Sequence, residues 1–304
     1  MTGSAYVSMR LDTQRLRDNV LRIAASCGVR VYPVIKADGY GAGAAAVVEA
    51  VADLVEVFCV FSLREAVEAD LWKRTGRPAI AIGPPDAPDP RDYLEHHVRP
   101  SVSTPEQAAA LRPARPVLCV DTGMQRFACP AELVDAAVSA GDIDEAFTHA
   151  TRLEHVRRLV ELTGGRRIRL HAAASSLLDE PEARLDAVRP GLAIYRGAVR
   201  VAARLVEVRR SRGPVGYGGF TTGHHGVILC GYSRGLRRGP CMLNGRRSLI
   251  LEVGMQSAYV EAEPSDRAGD EVVLLGEGLE AQDIAPWWGC TPHEVLLTLC
   301  RLGR

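Results

Sequence analysis

Lysine is almost missing from this chain: of its 37 basic residues only Lys36 and Lys73 are lysines, and all the others are arginines. Arginine stays protonated under all ordinary conditions, whereas a desolvated lysine amine can shed its proton and form a Schiff base. A lysine surviving in that background marks chemistry that arginine cannot do. No apolar run approaches the roughly 18 residues that a bilayer-spanning helix needs. The N-terminus, Met1 to Tyr6, lacks the basic and then apolar pattern of a signal peptide. The formal net charge is zero, so no excess of one sign points to nucleic acid or to an acidic membrane. Eight cysteines occur with no CxxC pair, which argues against a disulfide frame and for buried thiols in a reducing cytoplasm. The expectation is a cytoplasmic protein.

What is present is ordinary globular material: 304 residues, 47% hydrophobic and 24% charged, enough for one large domain or two medium ones. A first helix is expected near residues 12–25. Strands are predicted at 29–37, 57–62, 79–83, 98–103, 116–123, 145–150, 167–174 and 187–195. Helical segments with apolar residues at three- and four-residue spacing fall between them, at 63–74, 104–112, 131–140 and 153–162. Thr104-Pro105-Glu106-Gln107 reads as a capped helix start, and Gly164-Gly165 as a helix stop. Eight strands with intervening helices predict a (β/α)₈ TIM-type barrel over residues 9–198, short enough that some helices must be abbreviated. From about Val201 strand-like runs at 202–209, 226–230, 248–253, 258–263 and 271–275 are separated by Gly-rich turns. That pattern predicts a mostly antiparallel β domain over 199–304, with residues 1–8 joining it.

In a barrel of this kind, catalytic groups gather at the C-terminal ends of the strands. Lys36 falls at the first such end. Asp121-Thr122-Gly123-Met124-Gln125-Arg126 falls at the fifth, Thr148-His149-Ala150 at the sixth, His171 to Ser176 at the seventh, and Arg189-Pro190-Gly191 near the last. A lysine, an imidazole, two arginines and hydroxyls on one face suit an aldehyde cofactor carrying a phosphate. Each residue alone is weak, since a lone histidine is more often a packed or surface residue. Their shared placement makes the set stronger than its parts.

Val34-Ile35-Lys36-Ala37-Asp38-Gly39-Tyr40-Gly41 resembles the cofactor-lysine motif of alanine racemases, pyridoxal-phosphate enzymes of fold type III. Asp121-Thr122-Gly123-Met124, Val188-Arg189-Pro190-Gly191 and Val215-Gly216-Tyr217-Gly218 match further motifs of that family in both domains. Gly231-Tyr232-Ser233, Gly254-Met255 and Thr291-Pro292-His293-Glu294 follow in the family order. The resemblance spans nearly the whole chain and implies an isomerase that uses pyridoxal 5'-phosphate. Lys36 would hold the cofactor and act as one base; Tyr217, from a partner subunit, would be the other, on the opposite face of the substrate. Arg189 would hydrogen-bond the pyridine nitrogen, and His149 would pack against the ring. Tyr40, Ser175, Gly191, Leu192 and His293 would complete the cofactor site. Arg126 would help place the cofactor's phenolate oxygen or the substrate carboxylate, and Tyr232 and Met255 would meet the substrate. The resemblance implies a head-to-tail homodimer; no metal is expected, and charge and hydropathy predict no nucleic-acid or membrane partner.

The chain departs from the family pattern at several positions. Cys119 stands where a carbamylated lysine often steadies the arginine, Ala174 where an asparagine precedes the phosphate-binding serine, and Gln256 where an aspartate follows the methionine. His293 replaces a tyrosine, Arg196 interrupts a tyrosine-glycine pair, and Ser233-Arg234 replaces alanine-aspartate near the substrate entrance. Three readings stay open at this point. One is an alanine racemase, one a same-fold enzyme for another amino acid (a broad racemase or a decarboxylase), and one a non-catalytic cofactor-binding protein. The pairs His96-His97 and His224-His225 lack further ligands in sequence and read as surface residues.

Overall fold

The structure, a computed structural model, describes residues 6–304; residues 1–5 of the expected N-terminal addition to the β domain lie outside it. The chain divides into two compact units. One comprises Leu16–Gly39 and Gly43–Ile194; the other takes the segment ending at Arg15, Tyr40–Ala42 and Tyr195–Arg304.

The first unit carries an eight-stranded parallel sheet. Its strands run in the order Arg30–Val31, Ala187–Val188, Arg169–Ala173, Glu145–Ala150, Val117–Cys119, Val98–Val102, Ala79–Ala81 and Phe58–Val60. A parallel bridge between Val34 and Cys59 joins the two ends, so the sheet curls into a barrel. The expected strands are all present, and most are shorter than predicted. The run at 29–37 keeps only Arg30–Val31 and the Val34 bridge, because Pro33 between them has no N–H for a ladder. The run at 187–195 stops at Val188 ahead of Pro190 and gives way to a 3₁₀ turn over Leu192–Tyr195.

The helix expected at 63–74 is two, Leu63–Glu68 and Leu71–Thr75, broken at Asp70 with φ 49°. Only 3₁₀ turns, Ser175–Leu177 and Pro181–Ala183, follow the strand Arg169–Ala173, which is where the barrel is abbreviated. Thr104 caps its helix by accepting the Gln107 amide, and the Gly164 N–H closes the helix Leu153–Thr163 on the Val160 carbonyl. Lys73 is exposed on Leu71–Thr75, beside Asp70. All eight cysteines are free thiols, and among the described residues no helix is long and apolar enough to cross a membrane.

The other unit is a seven-stranded antiparallel sheet. Val7–Leu11 pairs with Val199–Arg210, followed by His224–Ile228, Ala258–Ala262, Arg246–Val253, Gly239–Leu243 and Glu271–Leu275. The last strand also pairs with Val199–Arg210. Gly239–Leu243 was not expected from the pattern, nor were the helices Ala281–Trp288 and Pro292–Leu302 near the C-terminus.

The barrel interior holds a charged cluster that sequence placed elsewhere. His171, expected among the strand-end residues, is fully inside, stacked on Phe147 at 5.4 Å and edge-on to Tyr32 at 5.5 Å. Its Nε2 lies 3.4 Å from Oε1 of buried Glu145, which also pairs with Arg99 and Arg169. Burial pushes the His171 imidazole down to about 4, so it is neutral at physiological pH. Burial pushes Glu145 upward, but His171, Arg99 and Arg169 outweigh it and hold the carboxyl at about 2.

Both shifts make the native state bind fewer protons than the unfolded chain, so stability falls as pH drops. The loss due to His171 develops between its usual 6.5 and about 4, and that due to Glu145 between 4.5 and about 2. The thermal midpoint should therefore fall from pH 7 to 5 in the wild type and fall less in His171→Asn. Equal slopes in a melting series of the two proteins would show that His171 does not drive the acid sensitivity.

Candidate active site

Lys36 opens a short turn rather than ending a strand. Ala37, Asp38, Gly39 and Tyr40 all have φ between 55° and 63°, a left-handed run. Non-glycine residues there cost roughly 1–2 kcal/mol each. Strain of this kind persists only where surrounding contacts over-determine it. Here the Gly39 amide donates to the Ile35 carbonyl at 2.8 Å. The Glu65 carboxylate accepts the Ala37 amide at 2.8 Å and the Phe61 amide at 2.7 Å. Asp38 Oδ1 accepts the Ala44 amide at 2.8 Å, at the start of the helix Ala44–Val51. The turn leaves Lys36 half-buried, and burial lowers its pKa from the usual 10.5. Arg126 lowers it further, Glu65 opposes, and Arg189 adds to the lowering. The amine is thus biased toward the neutral, nucleophilic form.

Arg189 is 4% exposed, with its guanidinium 4.5 Å over the Phe147 ring. Nη2 donates to the carbonyls of Thr148 and Ala172, and Nη1 has no acceptor among the described residues. Burial lowers the Arg189 pKa; the Cys59 and Cys119 thiols, themselves pushed up to about 12 by burial, stay neutral beside it. A buried guanidinium with one unmatched donor suits a ligand acceptor at that point. Nearby, the Ser175 hydroxyl oxygen accepts the amides of Gly191 at 3.0 Å and Ala193 at 3.1 Å. Two backbone N–H groups and a hydroxyl gathered at the start of the 3₁₀ turn Leu192–Tyr195 suit a phosphate.

Two further predicted residues belong to this unit. Arg126 is exposed, 5.9 Å from the centre of the Phe127 ring, at the end of a loop organised by Asp121 Oδ1, which accepts the Gly123 and Gln125 amides. Cys119 is a buried thiol, so nothing of a carbamylated lysine steadies that arginine. His149 is half-buried on Glu145–Ala150, next to Thr148, whose hydroxyl meets that of Thr122 at 2.8 Å. Lys36, Arg126 and Arg189 come within electrostatic reach of one another, and Ser175 gathers with Gly191 beside Leu192.

The second unit carries the rest. Tyr40 packs 5.2 Å from Tyr195 and 6.0 Å from His293, so the shorter ring at position 293 still reaches the aromatic cluster. Tyr217 is 92% exposed, Tyr232 55% and Met255 59%. They converge on one turn. The Tyr232 amide donates to the Gly254 carbonyl at 2.9 Å, and the Ser233 amide donates to the Met255 carbonyl at 3.1 Å. The Tyr217 ring approaches Gly254. A Cβ at Gly231 would stand 2.3 Å from the Gly254 and Met255 carbonyl oxygens, so only glycine fits there. Arg234, expected near the substrate entrance, donates to the Leu302 carbonyl at 2.6 Å.

Sequence reasoning missed Glu65, Ala193 and Glu252. Glu65 had a local signal, since Ser62 caps its helix by accepting the Glu65 amide. Ala193 and Glu252 had none. Of the histidine pairs expected at the surface, His97 is exposed and stacks on Trp72 at 3.5 Å, but His225 is buried where its strand packs and meets the Ser211 hydroxyl at 2.9 Å.

The sequence matches the description "Alanine racemase, N-terminal domain" over residues 11–199 and "Alanine racemase, C-terminal domain" over residues 198–304. The chain belongs to the alanine racemase family. Among curated family members, the alanine racemase of Pectobacterium carotovorum is 28% identical, covering 98% of this chain and 96% of that protein. Among solved structures, the alanine racemase of Bartonella henselae with covalently bound pyridoxal phosphate superposes with TM-score 0.86 at 19% identity, covering 97% of this chain and 98% of that one. The alanine racemase of D-cycloserine-producing Streptomyces lavendulae superposes with TM-score 0.84 at 25% identity, over 98% and 96%.

Proposed function

We propose that this chain is a pyridoxal-phosphate-dependent racemase interconverting L- and D-alanine with two bases, Lys36 and Tyr217. The observation that carries the reading is buried Arg189 with Nη1 unmatched, within electrostatic reach of a lysine whose pKa is lowered. Bound pyridoxal phosphate supplies an electron-accepting ring that stabilises charge at the substrate Cα.

Lys36 would hold the cofactor through its amine and would take or return the Cα proton on one face of the substrate. Tyr217 Oη would do so on the other. Arg189 Nη1 would donate to the ring nitrogen, and an arginine, which does not readily give up a proton, would leave that nitrogen unprotonated. Ser175, Tyr40 and the backbone at Gly191 and Leu192 would hold the phosphate, with the Ala193 amide added to that set. His149 and His293 would border the cofactor; Arg126, Tyr232 and Met255 would position the amino acid.

Tyr217, Tyr232 and Met255 form a largely exposed apolar edge around Gly254. A proton-transferring phenol needs water excluded, and a second copy of the chain, arranged head to tail, provides the cover. The absence of disulfides among eight free thiols supports a cytoplasmic setting.

Proton NMR of alanine, serine and other amino acids with the cofactor-loaded protein in deuterated water tests the activity. Alanine should lose its Cα proton signal fastest, without loss of the compound, and a chiral assay should show inversion. Faster exchange of another amino acid would reassign the substrate. No exchange of any with cofactor bound would end the racemase reading.

A further inference from the structure

We infer that Glu252 is a positioning residue for Tyr217: its carboxylate holds the loop that presents the phenol. The inference rests on the role proposed above for Tyr217. Both carboxylate oxygens are committed to this loop. Oε1 accepts the Tyr217 amide at 2.7 Å, and Oε2 accepts the Gly218 amide at 2.6 Å. Consecutive N–H groups pointing to one carboxylate define the backbone direction at Tyr217, and hydrogen bonds to a charged acceptor are the stronger kind.

The surrounding structure is shaped for this contact. Gly216 has φ +72°, and a Cβ there would stand 2.3 Å from Glu252 Oε1, so the position requires glycine on both counts. Glu252 lies on Arg246–Val253, and the pairing of that strand with Ala258–Ala262 slips between Ile250 and Glu252. A bulge of this kind re-aims a side chain, here toward the loop. Elsewhere the loop is closed by a Val215–Phe220 bridge and a Ser211 amide bonded to the Gly223 carbonyl, with Phe220 edge-on to Tyr259 at 5.5 Å. These contacts fix the loop's ends and not its tip. Among the described residues, Glu252 is the one whose side chain bonds the tip beside the phenol.

Because Tyr217 serves one face of the substrate and Lys36 the other, misplacing Tyr217 slows proton removal from one enantiomer only. The test compares Cα-proton exchange from L- and D-alanine in deuterated water for the cofactor-loaded wild type, Glu252→Ala, Glu252→Gln and Tyr217→Phe. In Glu252→Ala, exchange from one enantiomer should drop about 10- to 100-fold, the scale expected for a group displaced by about an ångström. Exchange from the other should change less than about threefold. The enantiomer affected should be the one that Tyr217→Phe affects, and Glu252→Gln, which keeps one acceptor oxygen, should fall between. Deuterium uptake at the Tyr217 and Gly218 amides, followed by mass spectrometry, should quicken in Glu252→Ala.

Gly216→Ala, which pushes the loop off the carboxylate, should reproduce the asymmetry and serves if Glu252→Ala does not fold. Equal slowing of both enantiomers, or unchanged amide uptake, overturns the inference. If Tyr217→Phe is asymmetric and neither loop variant is, only the Glu252 inference falls. If Tyr217→Phe itself is symmetric, the two-base reading falls and takes this inference with it.

Discussion

Tyr217→Phe is expected to lower racemisation by about 10²- to 10⁴-fold, the range in which a positioned acid–base group contributes. Folding and cofactor loading should be unchanged. The side chain is 92% exposed in the single chain, and substitutions at such positions usually shift stability by less than about 0.5 kcal/mol. The backbone of the loop is held by Glu252 through the residue's amide, which phenylalanine retains. Removing one oxygen therefore removes chemistry without removing structure. Inversion needs a proton taken from one face and another delivered to the opposite face, so the remaining base should still exchange the Cα proton of one enantiomer without inverting it. The decisive comparison is the racemisation rate by chiral assay beside the melting midpoint and the cofactor's absorbance. Full activity in the phenylalanine variant would remove Tyr217 from the mechanism.

Lys36→Ala is expected to lose racemisation by more than about 10³-fold, because it removes the covalent anchor and a base together. Treatment with borohydride should fix cofactor mass to the wild-type chain and not to the variant. A sharper result follows from mixing this variant with Tyr217→Phe after reversible dissociation. If each site takes Lys36 from one subunit and Tyr217 from its partner, a mixed dimer holds one intact site and one doubly altered site. Random pairing should then restore about a quarter of wild-type activity from two inactive proteins. No recovery, with mixed dimers demonstrated by mass spectrometry, would place both bases in one subunit and dismiss the shared site. The geometry makes the mixing test informative, since the exposed edge of Tyr217, Tyr232 and Met255 is the surface a partner would cover.

By itself the sequence determined the alternation of strands and helices, the caps at Thr104 and Gly164, and the switch to antiparallel pairing after Val199, because each rests on neighbours a few residues apart. It also singled out Lys36, since an isolated lysine among arginines is visible as composition. Only the tertiary structure decided what surrounds those residues. The left-handed run after Lys36 depends on Glu65, 28 residues beyond Ala37, and the Tyr217 loop depends on Glu252, 35 residues beyond Tyr217. Neither separation carries a periodic signal. His171 looked like a site residue by its place on a strand, yet its partner Glu145 belongs to the neighbouring strand, and the parallel register draws both inside. Arg189 could be read as functional from its motif; that one of its nitrogens is buried without an acceptor could not. Local preference sets which element a segment forms. Which polar groups end up facing one another, and which are left for a ligand, is set by barrel closure and strand register, through contacts between residues far apart in the chain.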